Sequence, residues 1–216
     1  MRFVTRVAAL VGALAVLAAC SSSHHSKKYF ETEGLRAPSG GCDVKPSRIG
    51  LAEPADDINE GNGCRVPDPW RVYGLSSVKF SEPATLNCGM ASPLNDWMER
   101  VVQPAAQSAF GESVATVNVA ASYSCRPRNN KRGAKMSEHG YGNAIDIGGF
   151  TLESGRKVTV LGGYYGARDE QRFLHAVRQA ACEDFMTVLG PGSDAHHRDH
   201  IHLDLQNRRS GQHYCH

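Results

Sequence analysis

One hexapeptide constrains this chain more than any other segment. His200-Ile201-His202-Leu203-Asp204-Leu205 alternates polar and apolar residues without exception. A period of two puts successive side chains on opposite faces of a strand, so Ile201, Leu203 and Leu205 must meet a core. His200, His202 and Asp204 share the other face, and residues two apart lie about 6.5–7 Å from each other at Cα. That spacing lets two imidazoles converge on one ion, or lets one ligate while the other serves a water.

A second segment carries the matching chemistry. Ser137-Glu138-His139-Gly140-Tyr141-Gly142-Asn143-Ala144-Ile145-Asp146 runs into a short strand read over Asn143–Ile147. Together with His196, His197, His200 and His202, His139 makes five of the ten histidines fall in two short stretches. If the two strands pair, Asp146 and His202 meet across the sheet and His139 enters from the loop. Two imidazoles and one carboxylate around an open fourth position are the make-up of a catalytic zinc centre. Gly142 and Ala144 are small enough to let backbone and substrate come close.

The remaining pattern supplies the frame. Leu94, Trp97, Met98, Val101, Val102 and Ala105 recur at helical spacing over roughly 90–110, with a bend expected at Pro104. Trp97 reads as a core residue. Val114 to Tyr123 is β-branched enough for a strand, followed by a polar loop over 126–135. Phe150 to Val160 reads as a hairpin turning at Glu153-Ser154-Gly155, and Phe173, Leu174, Val177, Ala180, Ala181 and Phe185 mark a helix over about 168–185. Residues 42–80 show little periodicity and read as a disulfide-tied lead-in packed on the main body. The fold class expected is α+β, a small, mostly antiparallel sheet with flanking helices, stabilised by disulfides.

Arg2 and Arg6 precede an uncharged apolar run from Val7 to Ala19, too short to span a membrane and patterned as a secretory signal peptide. The division expected is a signal peptide over 1–19, Cys20 and a flexible tether over 20–41, and a folded domain over 42–216. Leu17-Ala18-Ala19-Cys20 resembles a bacterial lipobox, which implies acylation of Cys20, and Ser21 after it implies outer-membrane sorting with the domain facing the periplasm. Six cysteines remain beyond it: Cys42, Cys64, Cys88, Cys125, Cys182 and Cys215. An even count on the exported side implies up to three disulfides, with sequential pairing the simplest expectation. The formal charge of +2 comes from 24 Lys+Arg against 22 Asp+Glu, so removing Arg2 and Arg6 leaves 22 of each sign. That balance argues against nucleic acid as a partner.

The run Ser137-x-His139-x-x-Gly142-x-Ala144-x-Asp146, followed by Asp199-x-x-His202 and His200-x-His202, resembles the LAS-type zinc metallopeptidases. These comprise D-Ala-D-Ala carboxypeptidases, dipeptidases and related murein endopeptidases. More widely, Cys125-Arg126, Gly142-Asn143-Ala144-Ile145-Asp146-Ile147, Leu189-Gly190-Pro191-Gly192 and the His-rich end are similar to the bacterial extensin-like C-terminal domain family, over roughly 42–216. The resemblance implies an LAS-metallopeptidase-like fold and one Zn2+ per chain, held by His139, Asp146 and His202. It also implies a general base at Asp199 or His200, Asp199 being the simpler acceptor and His200 supporting it. Arg126 resembles the arginine that such proteins place before the His motif, where it would hold an oxyanion or a substrate carboxylate. Ser137 is expected to bond to a ligand, and Tyr141 and His197 to line the cleft.

The activity implied is hydrolysis of an amide bond in peptidoglycan stem peptides or cross-links, of carboxypeptidase or endopeptidase type. Peptidoglycan is the partner, and the lipid anchor supplies the membrane contact. Two competing functions follow from the same residues: a non-catalytic wall-binding lipoprotein that retains the scaffold, and a metal-dependent hydrolase of another class, such as a phosphoesterase.

Overall fold

The structure is a computed structural model that describes residues 50–216. The expected signal peptide, the tether with Cys20, and Cys42 lie outside the described residues. In chain order the strands are β1 (Leu51–Pro54), β2 (Ile58–Asn59), β3 (Arg65–Val66), β4 (Trp70–Leu75), β5 (Val78–Leu86), β6 (Val114–Ala121), β7 (Ala144–Leu152), β8 (Lys157–Thr159), β9 (Thr187–Leu189), β10 (Ile201–Asp204) and β11 (Tyr214–Cys215). The helices are α1 (Cys88–Trp97), α2 (Gln103–Phe110), α3 (Val160–Gly163) and α4 (Arg168–Asp184). Nine strands form one sheet in the order β1-β4-β5-β6-β7-β10-β9-β11, with β8 paired to β7, while β2 and β3 make a separate ribbon. All pairs are antiparallel except β5 with β6 and β9 with β11. The chain is thus mixed α/β with a mostly antiparallel sheet, and that sheet is large rather than small. Among the described residues no helix is long and apolar enough to cross a membrane.

The enlargement comes from residues read as a lead-in. Segments β1, β4 and the start of β5 lie within 50–80 and form one wing of the main sheet. Even-numbered Val78, Phe80, Ala84 and Leu86 point into the core, as period two requires. The signal is obscured by Pro83, which lacks a ladder donor and sits where pairing with β4 is interrupted, and by a register shift between Val72 and Gly74.

Helices cover one face. Met90, Leu94, Trp97, Met98 and Val102 join Phe173, Leu174, Val177 and Ala181 of α4 in a single core with Ile145, Ile147, Ile201 and Leu203 of the sheet. Trp97 is fully buried and its indole N–H donates to the Val177 carbonyl at 3.1 Å. Between α1 and α2, Met98–Val102 widens into a π turn in which the Gln103 N–H reaches the Met98 carbonyl, five residues back. Pro104 has no N–H to return to Arg100 and its ring would crowd that carbonyl, so the helix loosens one turn before it.

Cys64 bonds Cys125 and Cys182 bonds Cys215. Sequential pairing therefore holds for the last two cysteines and fails for Cys64 and Cys125. Cys88 is also disulfide-bonded. Chain order is a poor guide because the crossover from β5 through α1 and α2 returns the chain beside β5, bringing the segment after β6 to the β2–β3 ribbon.

Candidate metal centre

The site is built on the face of β7 and β10 opposite the helices. Antiparallel register sets His202 directly against Asp146, Ile201 against Ile147 and Leu203 against Ile145. The same alternation that sends the isoleucines and Leu203 into the core therefore sends Asp146, His202 and Asp204 together to the other side. All four residues of β10 are buried, more than a strand with one solvated face would show. The His139 and His197 rings pack on His202, and Arg126, Ser137, Arg208 and Tyr214 line the cavity beside it.

His139 arrives on a single 3-10 turn, Glu138–Tyr141, which starts at Ser137 and stops at Gly142. Gly142 has φ +60°, and a Cβ there would lie 2.9 Å from the Asn87 backbone nitrogen. Its smallness serves the close approach of this turn to the start of α1 rather than room for a substrate. The His139 Nδ1–H donates to the Ser122 carbonyl at the end of β6, which leaves Nε2 as the ring's free atom. That atom is buried with no hydrogen-bond partner, although Asp146 Oδ2 lies 3.2 Å away. Such a contact is favourable only with a positive centre between the two atoms, a proton or a metal ion.

Asp146 Oδ1 accepts from His202 Nδ1 at 2.7 Å, and Asp204 Oδ2 accepts from His202 Nε2 at 3.0 Å. Burial alone would raise the Asp146 pKa, but the His139 and His202 imidazoles beside it hold it well below the usual carboxylate range. Burial also disfavours the His202 cation, yet hydrogen bonds to Asp146 and Asp204 outweigh it and push the pKa up to about 9. One donor atom from each of His139, Asp146 and His202 lies within 4.8 Å of the others, so the three could hold a metal ion. The donor set fits: two imidazoles and a carboxylate suit a borderline divalent cation, and Ser122 and Asp204 would fix the tautomers of the two rings. This cluster does not by itself choose zinc over another metal.

The cluster lies in a cavity of about 660 Å³ whose lining includes Arg126, Ser137, His139, Asp146, His197, His200 and His202. His200 Nε2 is 3.6 Å from Asp146 Oδ1, and its Nδ1 is held by Asp199 Oδ1 at 2.8 Å. Asp199 itself is 65% exposed and does not line the cavity. The geometry thus has Asp199 behind His200, with the imidazole facing the cluster. His197 packs against His200 and His202, with ring centroids 5.2 and 5.7 Å away, and bonds Asp194 at 2.7 Å. Burial lowers the His197 pKa despite Asp194. Ser137 is buried, but its backbone does the bonding, donating to Arg126 O and accepting from Gly140. Tyr141 is exposed and outside the cavity.

Three arginines, Arg126, Arg128 and Arg208, line the cavity, a local concentration that the balanced overall charge hides. Ser122, Asp194 and Arg208 carried no motif signal in the sequence. Asp204 did, through its two-residue spacing from His202.

The family described as extensin-like protein C-terminus matches residues 41–216. The chain belongs to that family. The match takes in every element of the extensin-like fold above and both halves of the His-Asp cluster. Among curated proteins and among solved structures nothing matches the chain.

Proposed function

We propose that this extensin-like domain is a zinc-dependent hydrolase of an amide bond in peptidoglycan stem peptides or cross-links, acting from a lipid anchor at Cys20 on the periplasmic side of the outer membrane. The observation that carries the reading is the buried His139 Nε2, unpartnered and aimed at Asp146 beside His202. Without a proton shared with Asp146 that buried nitrogen is stranded, at a cost of about 1–3 kcal/mol that metal ligation would offset. The resemblance of the Ser137–Asp146 run to LAS-type peptidases supplies the reaction class.

Zinc held by His139, Asp146 and His202 would supply Lewis acidity, polarising an amide carbonyl and making water nucleophilic near neutral pH. The other roles fall to the chain's own groups. His200 faces the cluster through Nε2 and would take the proton of the attacking water there, while Asp199 holds Nδ1 and stabilises the cation that forms. The same imidazole would return the proton to the departing amine. Arg126, in the cavity wall, suits the negative charge developing on the carbonyl oxygen.

The test combines metal content with digestion of muropeptides by the protein made in an oxidising compartment, alongside His139→Ala and His202→Ala. About one zinc per chain, lost in both variants together with release of a D-amino acid or an uncrosslinked peptide, is expected. Zinc without turnover would favour wall binding, and a folded protein that takes no zinc when offered it would overturn the metal centre.

A further inference from the structure

The cavity holds a cation that the mechanism does not use. Arg208 lies on the C-terminal strap, beyond both recognisable motifs, yet it forms part of the wall beside Thr187 and Tyr214. Its guanidinium is fixed in place: Nη1 donates to the Met186 carbonyl, Nη2 donates to Thr187 Oγ1 at 2.7 Å, and the group lies over the Tyr214 ring with 5.7 Å to the centroid. The strap that carries it is pinned as well, by β11 pairing along β9, by the Cys182–Cys215 disulfide and by His213 bonding the Cys182 carbonyl. A guanidinium has five N–H donors. Two are used here, and the others have no partner among the described residues.

The cavity's own acids do not neutralise it. Asp146 and Asp204 bond the imidazoles, Asp194 bonds His197, and Glu138 is taken by Asn143 at 2.8 Å with Arg128 3.7 Å away. Among the described residues, then, no carboxylate lies within ion-pair distance of Arg208. The sheet order puts β9, its anchor, on one side of the β7–β10 pair and β6, which leads to Arg126, on the other. A substrate bridging the cluster would meet a guanidinium at either end. An immobilised arginine fork with unspent donors is shaped for a planar two-oxygen anion.

We propose that Arg208 is a specificity-determining residue that grips a free carboxylate of the substrate on the β9 side of the cluster. The inference rests on the hydrolase reading for what the substrate is, but its test does not. The zinc-loaded protein is titrated by NMR with N-acetyl-D-alanyl-D-alanine and with its C-terminal amide, and any cleavage is followed in the same tubes. The acid is expected to bind about 10-fold to 100-fold more tightly than the amide. Arg208→Gln should remove that preference by weakening the acid alone, Arg208→Lys should keep part of it, and the exposed neighbour change Arg209→Gln should leave it intact. A merely structural role would weaken both ligands alike and leave their ratio unchanged, which would overturn the proposal. Inorganic phosphate displacing the acid through Arg208 far better than acetate does would overturn it too. A preference lost in Arg208→Gln with neither peptide cleaved and no muropeptide digested would keep this site and sink the hydrolase; cleavage with a ratio indifferent to Arg208 would do the reverse.

Discussion

Loading a metal into this site should expel the proton on His202 Nδ1, and the structure sets the size of that effect. In the metal-free protein His202 donates to Asp146 and Asp204 at once, and its pKa is pushed up to about 9. At pH 7 the ring is therefore charged, and Nδ1 must lose its hydrogen before it can ligate. Two units between pH 7 and that pKa correspond to about 3 kcal/mol, or roughly 100-fold in apparent affinity. Zinc affinity, measured by chelator competition with the chelator's own protonation accounted for, should rise about tenfold per pH unit from 7 and level off near 9. Calorimetry at pH 7 in buffers of different ionisation enthalpy should show at least one proton released per zinc. Asp204→Asn removes one of the two charges that raise the pKa, so the levelling-off should move to lower pH. An affinity flat between pH 7 and 9, or no proton release, would refute the assignment of His202 as a charged residue that becomes a ligand. Stability without metal has the opposite sign: the His202 contribution is complete below about 6.5 and is lost as pH rises through about 9. The Asp146 contribution is present above about 4 and fades as pH falls, because its folded pKa is depressed.

Other expectations can be checked singly. His200→Ala should lower kcat on a stem-peptide substrate by about 10²–10⁴-fold with zinc retained. Asp199→Ala should cost about 10–100-fold and shift the acid limb of the pH–rate profile, since Asp199 acts through the imidazole; an effect of Asp199→Ala larger than that of His200→Ala would reinstate Asp199 as the base. Gly142→Ala puts a Cβ into the Asn87 backbone at left-handed φ and should destabilise by about 2–5 kcal/mol in urea unfolding. Removing the Cys64–Cys125 bridge, which spans 61 residues, should cost about 4 kcal/mol by the loop-entropy relation, read as a lowered unfolding midpoint. Replacing Cys182 and Cys215 with serine should loosen the strap and raise KM for carboxylate-bearing peptides more than it lowers kcat.

What the sequence disclosed and what it hid follow from the range of the forces involved. Strand β10 was legible because strict alternation over 200–205 admits one arrangement, and β7 because its own alternation sets Asp146 opposite His202. Helix α4 and the bend before Pro104 were legible for the same local reason. The wing formed by β1, β4 and β5 was not, because Gly74 breaks the register and Pro83 reads as a strand breaker. The direction in which Asp199 points depends on the turn before β10, which no spacing rule determines. Arg208 owes its position to a parallel pairing and a disulfide, both set by residues distant in the chain.

The pairing of β7 with β10 also bears on how this domain can change over time. Core and chemistry occupy alternate positions on the same two strands, Ile145 and Ile147 beside Asp146, Ile201 and Leu203 beside His202. A single inserted or deleted residue in either strand would exchange the two sets, thrusting an imidazole or a carboxylate among the aromatic rings and turning isoleucines towards the cavity. Fold and site would be lost in one event. Length variation is therefore barred from these two short strands, while the exposed stretch over 131–133, outside the cavity wall, can absorb it with neither the sheet nor the cluster touched.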